Sequence, residues 1–310
     1  MNSVVLRTVV PILLLIGAGF SSRFFKLLKK GDEKVLSSYI FFFALPALLF
    51  VNMSRIPFSL DTLRFVIASV LPHAIALTVL ISLYRILKFS RDTLYLLIMC
   101  TVFGSHTFFG LPFIMFAFET PEAERLAVLG SSFMAISCVS VTITILESYK
   151  VRGAAFMDAI FKVAVKLSKN PLIIAIFSGL AFSALGITIP VPLSRPLQML
   201  GTTAATVAIF QLGASLYGRK YPNLKTALKL ALLRAFFLPT AALIITYLFK
   251  MGTMESSVIV LMHATPMALA TIVLTERYNF HTELIPSLML ISSLAASIYM
   301  NVWLLLLGFH

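Results

Sequence analysis

The chain has 310 residues, 59% hydrophobic and only 12% charged, whereas soluble domains run at roughly 45–50% apolar and about 25% charged. With a mean hydropathy of +0.98, that composition excludes disorder and argues against a soluble enzyme. The formal net charge of +13 falls between apolar runs rather than on a soluble face. It therefore marks topology and contact with anionic lipid, not nucleic-acid binding. The runs reach the ~20 residues a helix needs to cross a bilayer, and they are not the short alternating segments of a membrane barrel.

In chain order the apolar runs fall at 4–22, 35–53, 63–84, 93–118, 124–146, 170–188, 196–217, 226–249, 256–274 and 284–308. The first has the look of a signal peptide with a short apolar core, but it is read as a membrane span because the count of ten requires it. Cys100 and Cys138 lie inside runs at a spacing that fits no metal or redox motif, and they are read as small packing residues. The sixth run is short. The segment before it, AFMDAIFKVAVKLSKN, places Phe156, Ile160, Val163 and Leu167 at helical spacing with lysines between them, which predicts an interfacial helix. Asn170 before Pro171 is placed to cap the sixth span.

Nineteen of the 25 lysines and arginines follow odd-numbered spans, as at Lys26, Lys29 and Lys30, at Arg85 and Lys88, and at Arg219 and Lys220. The other side holds Arg7, Arg55, Arg64, Arg125, Arg195 and Lys250. The odd loops therefore face the cytoplasm and both termini face outward, in the plasma (cytoplasmic) membrane. Arg234 is counted with the cytoplasmic set, about one turn into the eighth span. There it either snorkels to the cytoplasmic face or attracts an anion into the inner vestibule.

Five spans in residues 1–148 and five in 170–310 flank a cytoplasmic linker at 149–169. An odd number of spans per repeat inverts the second copy. Each half carries a proline in its fourth span, Pro112 within GSHTFFGLPF and Pro266 within HATPMA. Proline removes a backbone donor and clashes with the preceding turn, and Gly110 loosens the first break further. Backbone left unpaired against lipid costs several kcal/mol, so both breaks belong inside protein or along a wet cavity. Paired interruptions in inverted halves are the mark of a transporter's binding site. Half-helix N-termini there suit a carboxylate, and half-helix C-terminal ends can hold sodium. Pro11, Pro46, Pro72 and Pro239 are read as kinks.

The candidate substrate-binding residues are Ser105, His106, Thr107, Gly110, Pro112, Gln211, His263, Thr265 and Pro266. His106 and His263 can carry a proton, bind a carboxylate, or simply hydrogen-bond within the bundle. His73 reads as structural, and Gln211 as either helix glue or a substrate contact. Two histidines without acids or thiols are not a metal site. HExxH, GxSxG, paired intramembrane aspartates and a P-loop are all missing, so no enzyme and no cofactor is expected. Glu147, Glu255 and Glu276 lie only at span ends, which argues against a carboxylate proton relay.

At these residues the sequence resembles the auxin efflux carrier family, whose members include bacterial dicarboxylate transporters and plant auxin carriers. The stretches that carry the resemblance are FALPALLF (43–50), FFGLPF (108–113), KNPLIIAIFSGL (169–180), AIFQLGASL (208–216) and HATPMALATIVLTERY (263–278). The short loop after the fifth span is similar to prokaryotic members. The resemblance implies an all-α polytopic membrane protein of ten transmembrane helices, built as two inverted five-helix repeats in which the broken helices 4 and 9 cross. Spans 1, 2, 6 and 7 would form a scaffold, and spans 3–5 and 8–10 the moving transport unit. It also implies elevator-like transport of a small organic anion, with sodium or a proton as the candidate coupling ion, and a homodimer formed through the scaffold. The competing reading is a membrane receptor that binds such a ligand without moving it. Where the family's fourth span typically reads Asn-x-Gly-x-x-Gly-x-Pro, this chain has Ser105 and Thr107 in place of the Asn and the first Gly, which argues against auxin itself as substrate.

The topology is directly testable. A cysteine introduced at Ser3 or Gly308 should react with a membrane-impermeant maleimide in intact cells, and one at Lys30 only after permeabilisation; the opposite pattern would invert the assignment.

Overall fold

The computed structural model describes residues 4–57, 59–150, 165, 168–268, 270–272, 275 and 279–309. Most of the predicted interfacial segment lies outside these residues, as do Glu276, Arg277 and the Glu147 side chain. The described chain is helical throughout: α1 Val4–Phe24, α2 Asp32–Tyr39, α3 Leu45–Met53, α4 Leu60–Leu87, α5 Arg91–Val102, α6 Leu111–Phe118, α7 Pro121–Lys150, α8 Pro171–Ala184, α9 Val191–Leu216, α10 Leu224–Leu248, α11 Thr253–His263 and α12 Leu284–Leu306.

Six helical segments among the described residues are long and apolar enough to cross a membrane: Asp32–Met53, Leu60–Leu87, Pro121–Leu146, Val191–Leu216, Leu224–Leu248 and Leu284–Leu306. Val10–Phe24, His106–Phe118 and Pro171–Ala184 are shorter apolar helices. The runs expected at 93–118 and 256–274 are each interrupted near their middle, at 103–105 and 264–268, so neither forms one long helix. Large apolar side chains such as Leu14, Phe236, Ile244, Tyr247, Ile298 and Leu306 are exposed. An apolar exterior on this scale suits a lipid environment rather than water.

Local chemistry sets the helix ends. Ser59 and Ser90 accept from the backbone N–H groups of Thr62 and Thr93, each at 3.1 Å, which satisfies donors that the first turn leaves open. Asn170 caps α8 as expected, accepting from Leu172 N–H at 2.9 Å with Pro171 in the first helical position. Two segments wind as single π-helical turns, Ile40–Ala44 and His106–Gly110. Each stands immediately before a Leu-Pro pair, Leu45-Pro46 and Leu111-Pro112. The wider turn accommodates the ring and the hydrogen bond that each proline cannot make.

The helices pack most closely within two groups. In one, α1 lies against α9, and α3 lies against both α8 and α9. In the other, α10 is the hub, touching α4, α5, α11 and α12, while α7 packs on α4, α6 and α11. The α1–α9 contact depends on glycine. A Cβ on Gly19 would strike the Phe210 carbonyl, and one on Gly213 would strike the Ile16 carbonyl. Close backbone approach through small residues is how membrane helices associate where lipid supplies no hydrophobic drive between them.

Substituting Gly213→Val should therefore force the two backbones apart at a cost of about 1–3 kcal/mol, read as a lower melting temperature of the detergent-solubilised protein. Gly17, where an added Cβ would meet nothing within 4 Å, should accept alanine without a change.

Candidate functional site

The two interruptions meet. Gly104 and Met267 form an isolated antiparallel β-bridge. Ser105 N–H donates to the Pro266 carbonyl at 2.8 Å, and Ala268 N–H donates to the Phe103 carbonyl at 3.2 Å. Met267 N–H finds the Ser292 hydroxyl of α12 at 3.2 Å. The backbone groups freed by each break are thus used largely by the other break, as burial away from water requires.

The remaining freed carbonyls converge on Arg234. Its Nε donates to the Thr265 carbonyl at 2.6 Å, and its Nη1 donates to the carbonyls of Cys100 and Thr101 at 3.1 and 2.5 Å. Cys100 and Thr101 belong to the last turn of α5, and Thr265 follows the end of α11. Helix C-terminal ends carry negative partial charge and so favour a cation. Arg234 is 1% exposed, and among the described residues it forms no ion pair with a carboxylate. An arginine at the centre of a membrane helix costs roughly 2.5–3.5 kcal/mol, and hydrogen bonds to a charged group return about 1.5–3 kcal/mol each. Trp303 of α12 donates to the neighbouring Ala235 carbonyl at 2.9 Å and fixes α10 beside the site. The charge pattern of the sequence puts Arg234 about one turn into its span and within reach of the cytoplasm; the structure corrects this. Arg234 lies nearly three turns after the start of α10 at Leu224, at about 3.6 residues per turn, and its side chain is buried with Nε and Nη1 on the carbonyls of the breaks instead of reaching outward.

Three histidines gather beside it. The ring centroids of His73 and His263 lie 4.8 Å apart, those of His73 and His106 5.5 Å, and those of His106 and His263 6.0 Å. His106 Nδ1 donates to the Met262 carbonyl at 3.0 Å, with the Thr265 hydroxyl at 3.3 Å. His263 Nε2 donates to the Ser69 carbonyl of α4 at 2.9 Å. A carbonyl only accepts, so these nitrogens carry the hydrogens, and in the neutral rings the opposite nitrogens present lone pairs. His73 Nδ1 pairs with the Ser137 hydroxyl of α7 at 3.2 Å. The other nitrogen of each ring (His73 Nε2, His106 Nε2, His263 Nδ1) and Arg234 Nη2 are buried without a hydrogen-bond partner. Unused polar capacity of this kind costs about 1–3 kcal/mol per group, and four such groups in one neighbourhood mark a place built for something other than packing. Among the described residues no group of three His, Cys, Asp or Glu side chains has a metal-binding arrangement.

Gly104 lies at the centre of this arrangement. A Cβ there would meet Arg234 Nη2, would come within 2.6 Å of His106 Cε1, and would come within 2.8 Å of the Thr265 hydroxyl. Of the residues singled out from sequence, Ser105, His106, His263, Thr265 and Pro266 are brought together at the paired breaks. Gly110 faces the second break, since a Cβ on it would meet Thr265 Cγ2 and Met262 Sδ within 2.7 Å. Thr107 and Pro112 are buried in the π-turn and at the start of α6. Among the described residues Gln211 makes no hydrogen bond to that network: its Nε2 bonds the Ser215 hydroxyl of its own helix at 3.0 Å, and its Oε1 is buried without a partner. The structure adds Arg234, Gly104 and His73. The signal that could have found Arg234 is its position well inside an apolar run, and for Gly104 it is the glycine that opens GSHTFFGLPF.

Comparison with known proteins matches this architecture to a family. Residues 4–304 fit the model of a family described as membrane transport proteins. The chain is also similar to an uncharacterized transporter of Methanocaldococcus jannaschii, 22% identical over 300 residues that cover 95% of this chain and 96% of the relative. Taken with five family-like stretches in order and two interrupted helices meeting inside an apolar bundle, these matches establish that the chain belongs to the membrane transport protein family, the auxin-efflux-carrier-like transporters its sequence resembles.

Proposed function

We propose that this transporter is a secondary carrier of a small organic anion, and that the anion binds where the two breaks meet. The observation that carries this reading is Arg234 Nη2: a buried guanidinium N–H₂ with no hydrogen-bond partner among the described residues, in a cluster with three unused imidazole nitrogens and packed on a glycine that has no side chain to cover it. An ionisable residue inside a membrane bundle points by default to a functional site; for an arginine with no carboxylate partner among the described residues, the planar donors match an incoming carboxylate.

The sequence alone points to the backbone N–H groups of the breaks for anion recognition. In the structure Ser105 N–H and Met267 N–H are already engaged by Pro266 and Ser292. Recognition therefore passes to side chains, with Arg234 supplying charge and His106 supplying either a donor or an acceptor according to its protonation. The hydroxyls of Ser105 and Thr107, also buried, are the nearest candidates for setting selectivity.

Movement follows the grouping of helices. We assign α1–α3, α8 and α9 to the scaffold, and α4–α7 with α10–α12 to a transport unit that slides past it, in two inverted repeats whose broken helices cross. The close packing within each group supports this division. The anion site lies wholly on transport-unit helices, as an elevator requires. We place both termini outside the plasma membrane on the charge distribution of the loops.

Purified protein in proteoliposomes should move a labelled mono- or dicarboxylate. Gly104→Ala, which pushes a methyl group against Arg234 and His106, should lower flux at least tenfold, while Gly17→Ala keeps wild-type flux. His106→Gln should weaken substrate affinity by roughly 10–100-fold if a charge-assisted bond of about 1.5–3 kcal/mol is lost. Flux restricted to neutral or cationic solutes would overturn the assignment.

A further inference from the structure

Anion recognition uses one of the three guanidinium nitrogens. The other two are taken up by a different piece of architecture. Nε and Nη1 are held by the carbonyls of Thr265, Cys100 and Thr101, which come from the C-terminal ends of two separate half-helices. The hydroxyl of Thr101, on the same residue as one of these carbonyls, is fully buried and without a partner among the described residues. Carbonyls at half-helix C-terminal ends, supplemented by neutral side-chain oxygens, are the ligands with which membrane proteins hold a monovalent cation. Every ligand here is a dipole. Among the described residues no carboxylate pairs with Arg234, so the cage holds one positive charge and has no acid to balance a second.

We propose that Arg234 is a tethered cation occupying a monovalent-cation cage, so that the positive charge which joins the two breaks is part of the chain and no free sodium is needed there. Without the guanidinium, the same three carbonyls would form a site for sodium or for a free guanidinium ion. The anion reading bears on this inference only in that the tethered charge also presents Nη2 to the substrate. The cage itself is defined by the Nε and Nη1 contacts.

A simple structural role for Arg234 predicts loss of stability on substitution and nothing more; the cage predicts rescue. Thermal unfolding of the full-length, detergent-solubilised protein would be followed at matched ionic strength in choline, sodium, and choline supplemented with millimolar guanidinium. Wild-type protein should melt at the same temperature in all three. Arg234→Ala should melt at least 5 °C lower in choline. Sodium or guanidinium should restore half or more of that loss along a saturable curve, since a ligand bound only by the folded state raises the midpoint by mass action. An Arg234→Ala protein indifferent to both ions would overturn the proposal, as would a saturable sodium-dependent rise in the wild-type midpoint. If Arg234→Ala does not fold, Arg234→Gln, which keeps most of the side-chain length, is read by the same criterion. A carboxylate panel on wild-type protein separates the two ideas. Cation rescue without any carboxylate response would sink the anion reading and leave the cage, and the reverse result would leave the anion site and remove the cage.

Discussion

The structure depends on one constraint: a guanidinium buried among apolar helices must find its hydrogen bonds in protein. Arg234 finds them at the only kind of place in a helical membrane bundle where carbonyls are free in number, the ends of interrupted helices. The dependence runs both ways. The breaks need a cation because their carbonyls have lost their helical donors, and the arginine needs the breaks because no described acid pairs with it. The bridge between Gly104 and Met267 pairs further backbone groups of the two breaks, Ser105 N–H with the Pro266 carbonyl and Ala268 N–H with the Phe103 carbonyl. Hydrogen bonding is complete at Nε and Nη1 of the guanidinium and left unused at the buried Nη2.

Around that core the helices divide their labour according to what each contact can tolerate. α1 and α9 meet backbone to backbone through Gly19 and Gly213, a contact with little room to slide. The interface between the two groups is made by α1 with α6 and α12, α3 with α7, and α9 with α6 and the His106–Gly110 turn. The dense polar chemistry is carried by α4, α5, α7, α10, α11 and α12 and by the His106–Gly110 turn, which itself touches α9. His73 on α4 and Ser137 on α7 link the histidine cluster to helices that carry no break, so a change at the breaks is felt across the whole of that group.

Much of this is legible in the sequence, for physical reasons that also explain what is not. The apolar runs, the break at Pro266 and the cap at Asn170 follow from local rules: hydropathy, a missing N–H, a side chain that accepts from the first turn; the other break falls at 103–105, ahead of Pro112, which instead opens α6 after the π-turn. His106, His263 and Thr265 are legible because they sit inside the breaks. Arg234 is misplaced because its charge draws it into the loop count although the run at 226–249 already holds it well inside; what the sequence does not show is that carbonyls from both breaks hold it there. His73 reads as structural because its meeting with His106 and His263 is a tertiary fact that no spacing encodes. Gly104 is visible only as a helix breaker, since its second role, leaving room beside a guanidinium nitrogen, depends on a residue 130 positions away. Gln211 draws attention as a polar residue in mid-span; Ser215 of its own helix takes its Nε2, while its Oε1 is buried without a partner.

The π-turns at Ile40–Ala44 and His106–Gly110 have a consequence for how the chain is read. Each inserts one residue into an otherwise α-helical winding, which shifts everything after it by about 100° around the axis. The helical wheel of the second apolar run is thus drawn in two phases that change at Leu45, and the phase of the fourth is reset at Leu111. A periodicity taken across either point mixes two phases: Asp32–Tyr39 before the first turn buries no residue, while Leu45–Met53 after it is almost wholly buried. A one-residue gap in an alignment with a distant relative belongs at these turns, where the winding already carries a spare residue.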